Sequence, residues 1–292
     1  MSIATDPDRL GEALARCGYL VDEALATALF LAVRMGQPLL LEGEPGVGKT
    51  EAAKALAAAL DTRLVRLQCY EGLTAAEALY EWNYPRQLLA IRLAEAGGQT
   101  LTEADLFGPE YLLPRPLLAA VDHPGPRPAV LLIDEVDRAD DEFEAFLFEL
   151  LAEATVTIPE LGTRRAAFPP VTVLTSNRTR DLHDALKRRC LYHWIRYPSA
   201  DRVAEIIRLR VPETTQWLSA RLAGAVERLR GLDLYKPPGV AEAVSWAAAL
   251  RALGVSKLDQ EAARRTLPAV LKYDEDVAAV HQVGLAEIVG DR

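Results

Sequence analysis

One stretch of the chain has the residue types and spacing to hold a polyphosphate: Gly43-Glu44-Pro45-Gly46-Val47-Gly48-Lys49-Thr50. In this G-x-x-x-x-G-K-T pattern the glycines let the backbone curl round a pyrophosphate, so that successive N–H groups point inward as an anion nest. A helix starting near Gly48 adds its unpaired N–H groups and the positive end of its dipole. Lys49 then reaches the β- and γ-phosphates, and the Thr50 hydroxyl ligates Mg²⁺. The apolar run Leu39-Leu40-Leu41 precedes the stretch, and an Ala-rich helical pattern from Glu51 to Leu60 follows it. Strand, loop and helix is the context the chemistry requires. The residues from Gly43 to Glu51 are therefore read as a binding site for a nucleoside triphosphate with Mg²⁺. Tyr19-Leu20 is read either as an apolar wall for the nucleotide base or as ordinary core packing.

A second group of chemical residues lies 84 positions after Thr50. The apolar run Ala129 to Ile133 ends in Asp134-Glu135, as a strand buried on both faces would. Ligands of open α/β sheets bind beyond the carboxyl ends of the strands, so an acid there can sit beside a phosphate loop. Two adjacent acids can divide the work: Asp134 holds Mg²⁺, usually through water, and Glu135 polarises the attacking water. Asn177 follows the apolar strand Val171 to Thr175, where its amide can orient that water or touch the γ-phosphate. Taken alone, an Asn after a strand is a turn residue. Lys187-Arg188-Arg189 is a short basic run that is either solvated charge or an arginine finger reaching a neighbouring subunit's γ-phosphate.

The elements that must position these residues follow from pattern. Asp6 to Cys17 and Val21 to Met35 read as helices, and Leu64 to Leu67 as the second strand. Thr74 opens a short capped helix, Pro85 to Ala96 is another, and Thr102 to Phe107 and Pro109 to Val121 read as further helical pieces. Asp140 to Ala154 carries one apolar stripe. Thr155 to Ile158 and Arg164 to Phe168 flank a loop as a hairpin, and Leu191 to Ile195 is a last strand. Beyond Pro198, Ser199 to Leu209, Pro212 to Arg230, Pro238 to Leu253 and Lys257 to Leu271 read as helices. The expectation is a parallel α/β domain over residues 1–198 and a smaller all-α domain over 199–292.

Composition narrows the function classes. The 292 residues are 50% hydrophobic and 26% charged, as in a soluble globular protein. No apolar run approaches the roughly 18 residues of a membrane span, and the polar, acidic N-terminus is unlike a secretory signal. A cytoplasmic address is expected. The three scattered cysteines, Cys17, Cys69 and Cys190, form neither a disulfide framework nor a zinc pattern. A net charge of −9 with dispersed acids argues against a duplex-binding surface.

Taken together, Gly43 to Thr50, Leu131-Leu132-Ile133-Asp134-Glu135, Leu174-Thr175-Ser176-Asn177 and Ala185-Leu186-Lys187-Arg188-Arg189 come in the order used by AAA+ ATPases. The chain resembles the MoxR group over nearly its whole length. The resemblance implies an AAA+ core with a parallel sheet between helices and a helical lid. It makes these segments Walker A, Walker B, sensor 1 and the arginine-finger segment, with Arg189 favoured as the finger and Arg188 close behind. It also implies a helix-2 insert near residues 71–83 and a pre-sensor hairpin near 155–168. The wording around Cys69, Ile158 and Arg188 is similar to the branch associated with carbon monoxide dehydrogenase maturation. Two departures stand out. Cys190 replaces an aromatic after the finger, and no arginine occupies the expected sensor 2 place, where Lys236 is the nearest cation.

What the resemblance implies is an ATPase that assembles into a ring, commonly a hexamer, and remodels a protein client. A von Willebrand factor A-type partner and a molybdenum or other metalloenzyme client are implied with it. Two other readings are weighed against this one. A nucleic-acid motor would need a basic stripe, for which only Arg164-Arg165 offers itself. A scaffold that binds ATP without turnover sits poorly with Glu135 and Asn177.

Overall fold

The structure is a computed structural model that describes residues 5–290. By contact density the chain divides into two compact units. The first takes in the residues up to Cys17, Val21–Glu42 and Thr50–Trp194; the second takes in Gly18–Leu20, Gly43–Lys49 and Ile195 onward.

Two helices lead the first unit, α1 (Pro7–Arg16) and α2 (Glu23–Met35), started by Asp6 and Asp22, whose carboxylates accept from backbone N–H groups of the first turn. β1 (Leu39–Gly43) enters the phosphate-loop stretch, α3 (Lys49–Ala59) leaves it, and β2 (Leu64–Gln68) follows. Then come α4 (Ala75–Leu79), β3 (Tyr80–Trp82), α5 (Tyr84–Ala96), α6 (Glu103–Leu106), β4 (Leu112–Pro114) and α7 (Pro116–Val121). The unit continues with β5 (Val130–Asp134), α8 (Asp141–Glu153), the paired strands β6 (Thr155–Ile158) and β7 (Gly162–Arg165), β8 (Val171–Ser176), α9 (Asp184–Lys187) and β9 (Leu191–Ile195).

Five of these strands form one sheet in the order β2-β5-β8-β1-β9, with β2/β5, β5/β8 and β5's neighbour β8 against β1 all parallel. Every residue of β1, β5 and β8 is buried, which is why those runs are continuously apolar rather than alternating. Leu40, Leu131, Ile133 and Leu174 from the sheet meet Phe143 and Leu147 of α8 in the core. β1 has β8 on one side and β9 on the other, so the strand order reverses at β1. Ligands of such sheets bind at that reversal, beyond the carboxyl ends of the strands.

The second unit holds α10 (Ala200–Arg210), α11 (Gln216–Arg230), α12 (Val240–Ala252), α13 (Gln260–Thr266), α14 (Asp274–Val283) and α15 (Leu285–Val289). Its own core gathers Ile207, Leu222, Val226, Trp246 and Leu250. Trp246 is fully buried, and its indole N–H donates to Thr266 Oγ1 at 2.7 Å.

Several sequence expectations need correction. Pro109 to Val121 is not continuously helical: a 3-10 turn leads into β4, whose Leu112–Pro114 pairs antiparallel with Tyr80–Trp82. Pro114 and Pro116 disfavour helix in the residues before them and remove N–H donors, so the segment starts its helix only at Pro116. Pro212 to Arg230 is helical from Gln216, where Thr215 caps it. Lys257 to Leu271 is helical only over Gln260–Thr266, and Pro268 turns the chain into a 3-10 segment. The second hairpin strand ends at Arg165 rather than Phe168. The last two helices, α14 and α15, were not expected.

Candidate functional site

The phosphate-loop stretch lies in the second unit, next to helical residues that are remote in sequence. Gly46 has φ +80°, a left-handed conformation that suits glycine. Its carbonyl accepts the Val240 N–H at 3.1 Å, so the loop is bonded to the first residue of α12. A β-carbon on Gly46 would stand 3.1 Å from Gly239 Cα, and one on Gly239 would stand 2.9 Å from Gly46 Cα. Two backbones touch here without side chains between them. Glu44 at the loop's outer edge receives a hydrogen bond from Arg230 Nη2 at 2.5 Å, and Arg230 also donates to the Pro238 carbonyl at 3.0 Å. The guanidinium is stacked 3.8 Å from the centre of the Tyr197 ring, and burial pushes the Tyr197 phenol up to about 12. Lys49 is buried, and its ammonium donates to the Gly43 and Glu44 carbonyls at 2.7 and 2.9 Å. Tyr19 and Leu20 are half-buried, and the Tyr19 ring edge flanks Gly48.

The chain passes from Lys49 into Thr50, where the first unit's part of the chemistry begins. Asp134 closes β5 at 2% exposure, and both of its carboxylate oxygens are engaged. Oδ1 accepts from Thr175 Oγ1 at 2.6 Å and from Thr50 Oγ1 at 3.0 Å. Oδ2 accepts from Arg66 Nε at 3.0 Å and Arg66 Nη2 at 2.6 Å. Gln68 stands directly opposite Asp134 in the β2/β5 register, with Arg66 on the diagonal of the same face. Glu135 turns the backbone sharply with φ 56° and ψ 49°. Its N–H donates to Thr175 Oγ1 at 2.9 Å, and its carboxylate accepts from Gln68 Nε2 at 3.1 Å and pairs with Arg138 at 2.9 Å. One hydroxyl, that of Thr175, thus joins the acids of β5 to the neighbouring strand. Cys69 lies beside them, its N–H donating to the Asp134 carbonyl at 2.8 Å. Burial, and then the carboxylates of Asp134, Asp137 and Glu135, push its thiol up to about 12, so it stays protonated.

Asn177 leaves β8 half-buried, in a turn whose next residue, Arg178, also has positive φ (56°). The turn is held by Asp137, itself 2% exposed. Asp137 Oδ2 accepts from the Asn177 N–H at 3.2 Å, the Thr179 N–H at 2.8 Å and the Thr179 hydroxyl at 2.7 Å. The residues after it are knitted to α8 by Arg180, which pairs with the fully buried Glu144 and donates to the Ala139 carbonyl. Arg188 and Arg189 are exposed at the end of α9; Arg189 rests 4.8 Å from the centre of the Phe148 ring. Glu51 pairs with Lys54 at 2.7 Å. Lys236 is exposed, and its backbone N–H donates to Asp276 at 3.2 Å.

Thr50 and Asp134 are therefore brought within one hydrogen bond, as their types and order suggest. Their donor set, a hydroxyl and a carboxylate, is all oxygen and fits a hard divalent cation such as Mg²⁺. Sequence reasoning missed Arg66, Gln68, Asp137, Thr175 and Arg230. Arg66 and Gln68 did carry a signal, since they alternate with buried Val65 and Leu67 along β2.

The family model described as AAA domain (dynein-related subfamily) matches residues 38–190, just over half of the chain. No curated protein matches the sequence. Among solved structures, a mutant of Thermotoga maritima RuvB is 16% identical, with 98% of this chain and 83% of that chain covered and a TM-score of 0.52. Another, Thermotoga maritima RuvB described as a Holliday junction branch migration motor, is 17% identical over 98% and 84%, with a TM-score of 0.47. An inferred ATPase from Cytophaga hutchinsonii is 16% identical over 98% and 94%, with a TM-score of 0.49. At 16% identity the likeness to the first of these, with its TM-score of 0.52, speaks for the fold alone. The matched segment runs from the strand before the phosphate loop to the residue after Arg189, and with the parallel sheet and the acids at its carboxyl end it makes this chain a member of the AAA family, dynein-related subfamily, and an ATPase.

Proposed function

We propose that this ATPase is a MoxR-type AAA+ protein that uses ATP hydrolysis to remodel a protein client, in the branch associated with carbon monoxide dehydrogenase maturation. The observation that carries the catalytic part is the junction of Thr50, Asp134 and Thr175, which sets a cation-binding pair and the adjacent Glu135 at the carboxyl end of β5. The loop amides and Lys49 bind the phosphates, within the stretch Gly43, Glu44, Pro45, Gly46, Val47, Gly48, Lys49, Thr50 and Glu51, and Tyr19 with Leu20 faces the base. Thr50 and Asp134 hold Mg²⁺, which when bound neutralises charge on the phosphates. Glu135 takes the proton of the attacking water, and Asn177 orients that water from a turn fixed by Asp137.

Arg189, with Arg188 beside it, completes the site of a neighbouring subunit, which requires an oligomer, and a ring of six is the form proposed. In this reading residues 1–198 are the nucleotide-binding domain and 199–292 the lid. The partner is a protein with a von Willebrand factor A-type domain, the client a molybdenum or other metalloenzyme, and the compartment the cytoplasm. Among the described residues no helix is long and apolar enough to cross a membrane. A nucleic-acid motor is the less favoured reading: the chain carries a net charge of −9, and acids stand beside both hairpin arginines, Asp122 by Arg164 and Glu153 by Arg165, where a basic stripe would be needed.

Light scattering and ATPase rate measured together test this reading, on wild type, Glu135→Gln and Arg189→Ala, with and without Mg·ATP. ATP is expected to shift the wild type towards a ring, Glu135→Gln to hold the ring without turnover, and Arg189→Ala to bind ATP without hydrolysing it. A monomer that hydrolyses ATP equally well without Arg189 would sink the shared site.

A further inference from the structure

We propose that Arg66 is the resident counter-cation of Asp134 and that a divalent cation must displace it, so that Arg66 sets how much Mg²⁺ the protein needs to bind nucleotide. The proposal rests on the reading of Asp134 as the Mg²⁺-holding carboxylate. A carboxylate has about four lone-pair directions, and here they are taken by Thr175 and Thr50 on Oδ1 and by the Nε and Nη2 of Arg66 on Oδ2, with the Thr50 hydroxyl shared to Oδ2 at 3.3 Å. A cation, or a water bound to one, needs one of those directions. Thr175 cannot give way, because it is 1% exposed and bonded on its other side to the Glu135 N–H. Thr50 is itself the other proposed cation ligand. Arg66 is the mobile partner: its side chain is 46% exposed, on a flexible stem that can swing into water, whereas the Asp134 side chain is only 3% exposed and stays in place.

Two like charges do not share one carboxylate oxygen without cost. A divalent cation at Asp134 repels the guanidinium, and the guanidinium, while bound, lowers the attraction that Asp134 exerts on a cation. The two partners are mutually exclusive at Oδ2. Gln68 holds the outer side of the guanidinium, accepting from Nη2 at 2.5 Å, so a displaced Arg66 keeps a second polar partner close by.

The test is a Mg²⁺ titration of the full-length protein with a fluorescent ADP derivative at fixed concentration, reading the half-saturating Mg²⁺ for nucleotide binding. Arg66→Ala and the bulkier neutral Arg66→Gln are both expected to lower it by about two- to tenfold, the range set by removing one half-exposed competing charge. Arg66→Lys, which keeps the charge, should stay near the wild type. Binding of the same probe in excess chelator should be unchanged in all three. Arg66→Gln guards against a fold defect in the alanine variant, with thermal melts alongside. A half-saturating Mg²⁺ that is unchanged or higher in both neutral variants overturns the proposal. Asp134→Ala separates the two readings: if it leaves the Mg²⁺ dependence as in wild type, the assignment of Asp134 fails, whatever Arg66 does.

Discussion

Thr175 has a small, uncharged side chain that reaches both acids. Its hydroxyl donates to Asp134 and accepts from the Glu135 backbone, so both acids are set by one group that bears no charge. Thr175→Val keeps the shape but leaves a partly buried N–H without its acceptor and takes one hydrogen bond from Asp134. A loss of about 1–3 kcal/mol is expected on those grounds, read as a lower urea midpoint with unchanged slope, together with slower turnover. An unaltered midpoint would mean that water replaces the hydroxyl. Lys49, Thr50, Asp134 and Glu135 were legible in the sequence because each lies at a fixed offset from a strand end. Thr175, Arg66 and Asp137 were not. Their roles depend on which strand lies beside which, and the order β2-β5-β8-β1-β9 is not written in any local pattern. Asp137 was further disguised by its type, since an acid three residues past a strand is ordinarily solvated.

Elements were legible to the extent that their signals are local. The helical patterns of α1, α2 and α8 and the continuous apolar runs of β1, β5 and β8 could be read directly, although α2 starts at Glu23 behind its Asp22 cap and not at Val21. β4 could not, because a three-residue strand is defined by its partner β3 and not by its own residues. The loop between β1 and α3 is bonded to α12 through the Gly46 carbonyl, a contact no spacing rule foretells. Gly46→Ala tests that junction. A non-glycine residue at φ +80° costs about 1–3 kcal/mol, and its methyl would also press on Gly239. Weaker nucleotide binding is the expected outcome, by about five- to 150-fold if the whole strain falls on the bound state. Calorimetry with ADP would measure it, and an affinity equal to wild type would show that the loop has room to shift.

At the scale of the molecule, the second unit contains the phosphate loop together with the helices. The sequence suggested a change of character near residue 198, from alternating strands to helices, but gave no hint that Gly43–Lys49 packs with the later residues. Nucleotide bound at the loop should therefore stabilise the start of α12 as well as the loop. At a hundredfold excess over Kd, linkage supplies about 2.7 kcal/mol. Hydrogen exchange should slow at residues 239–242 on adding ADP; exchange there that ignores ADP would refute the coupling. The close approach of Gly46 and Gly239 also has a hereditary consequence. Neither position can gain a β-carbon without moving the other's backbone. A lineage that loses one glycine must reshape the other site to keep the loop, so the two are expected to persist or change together, although 193 positions separate them.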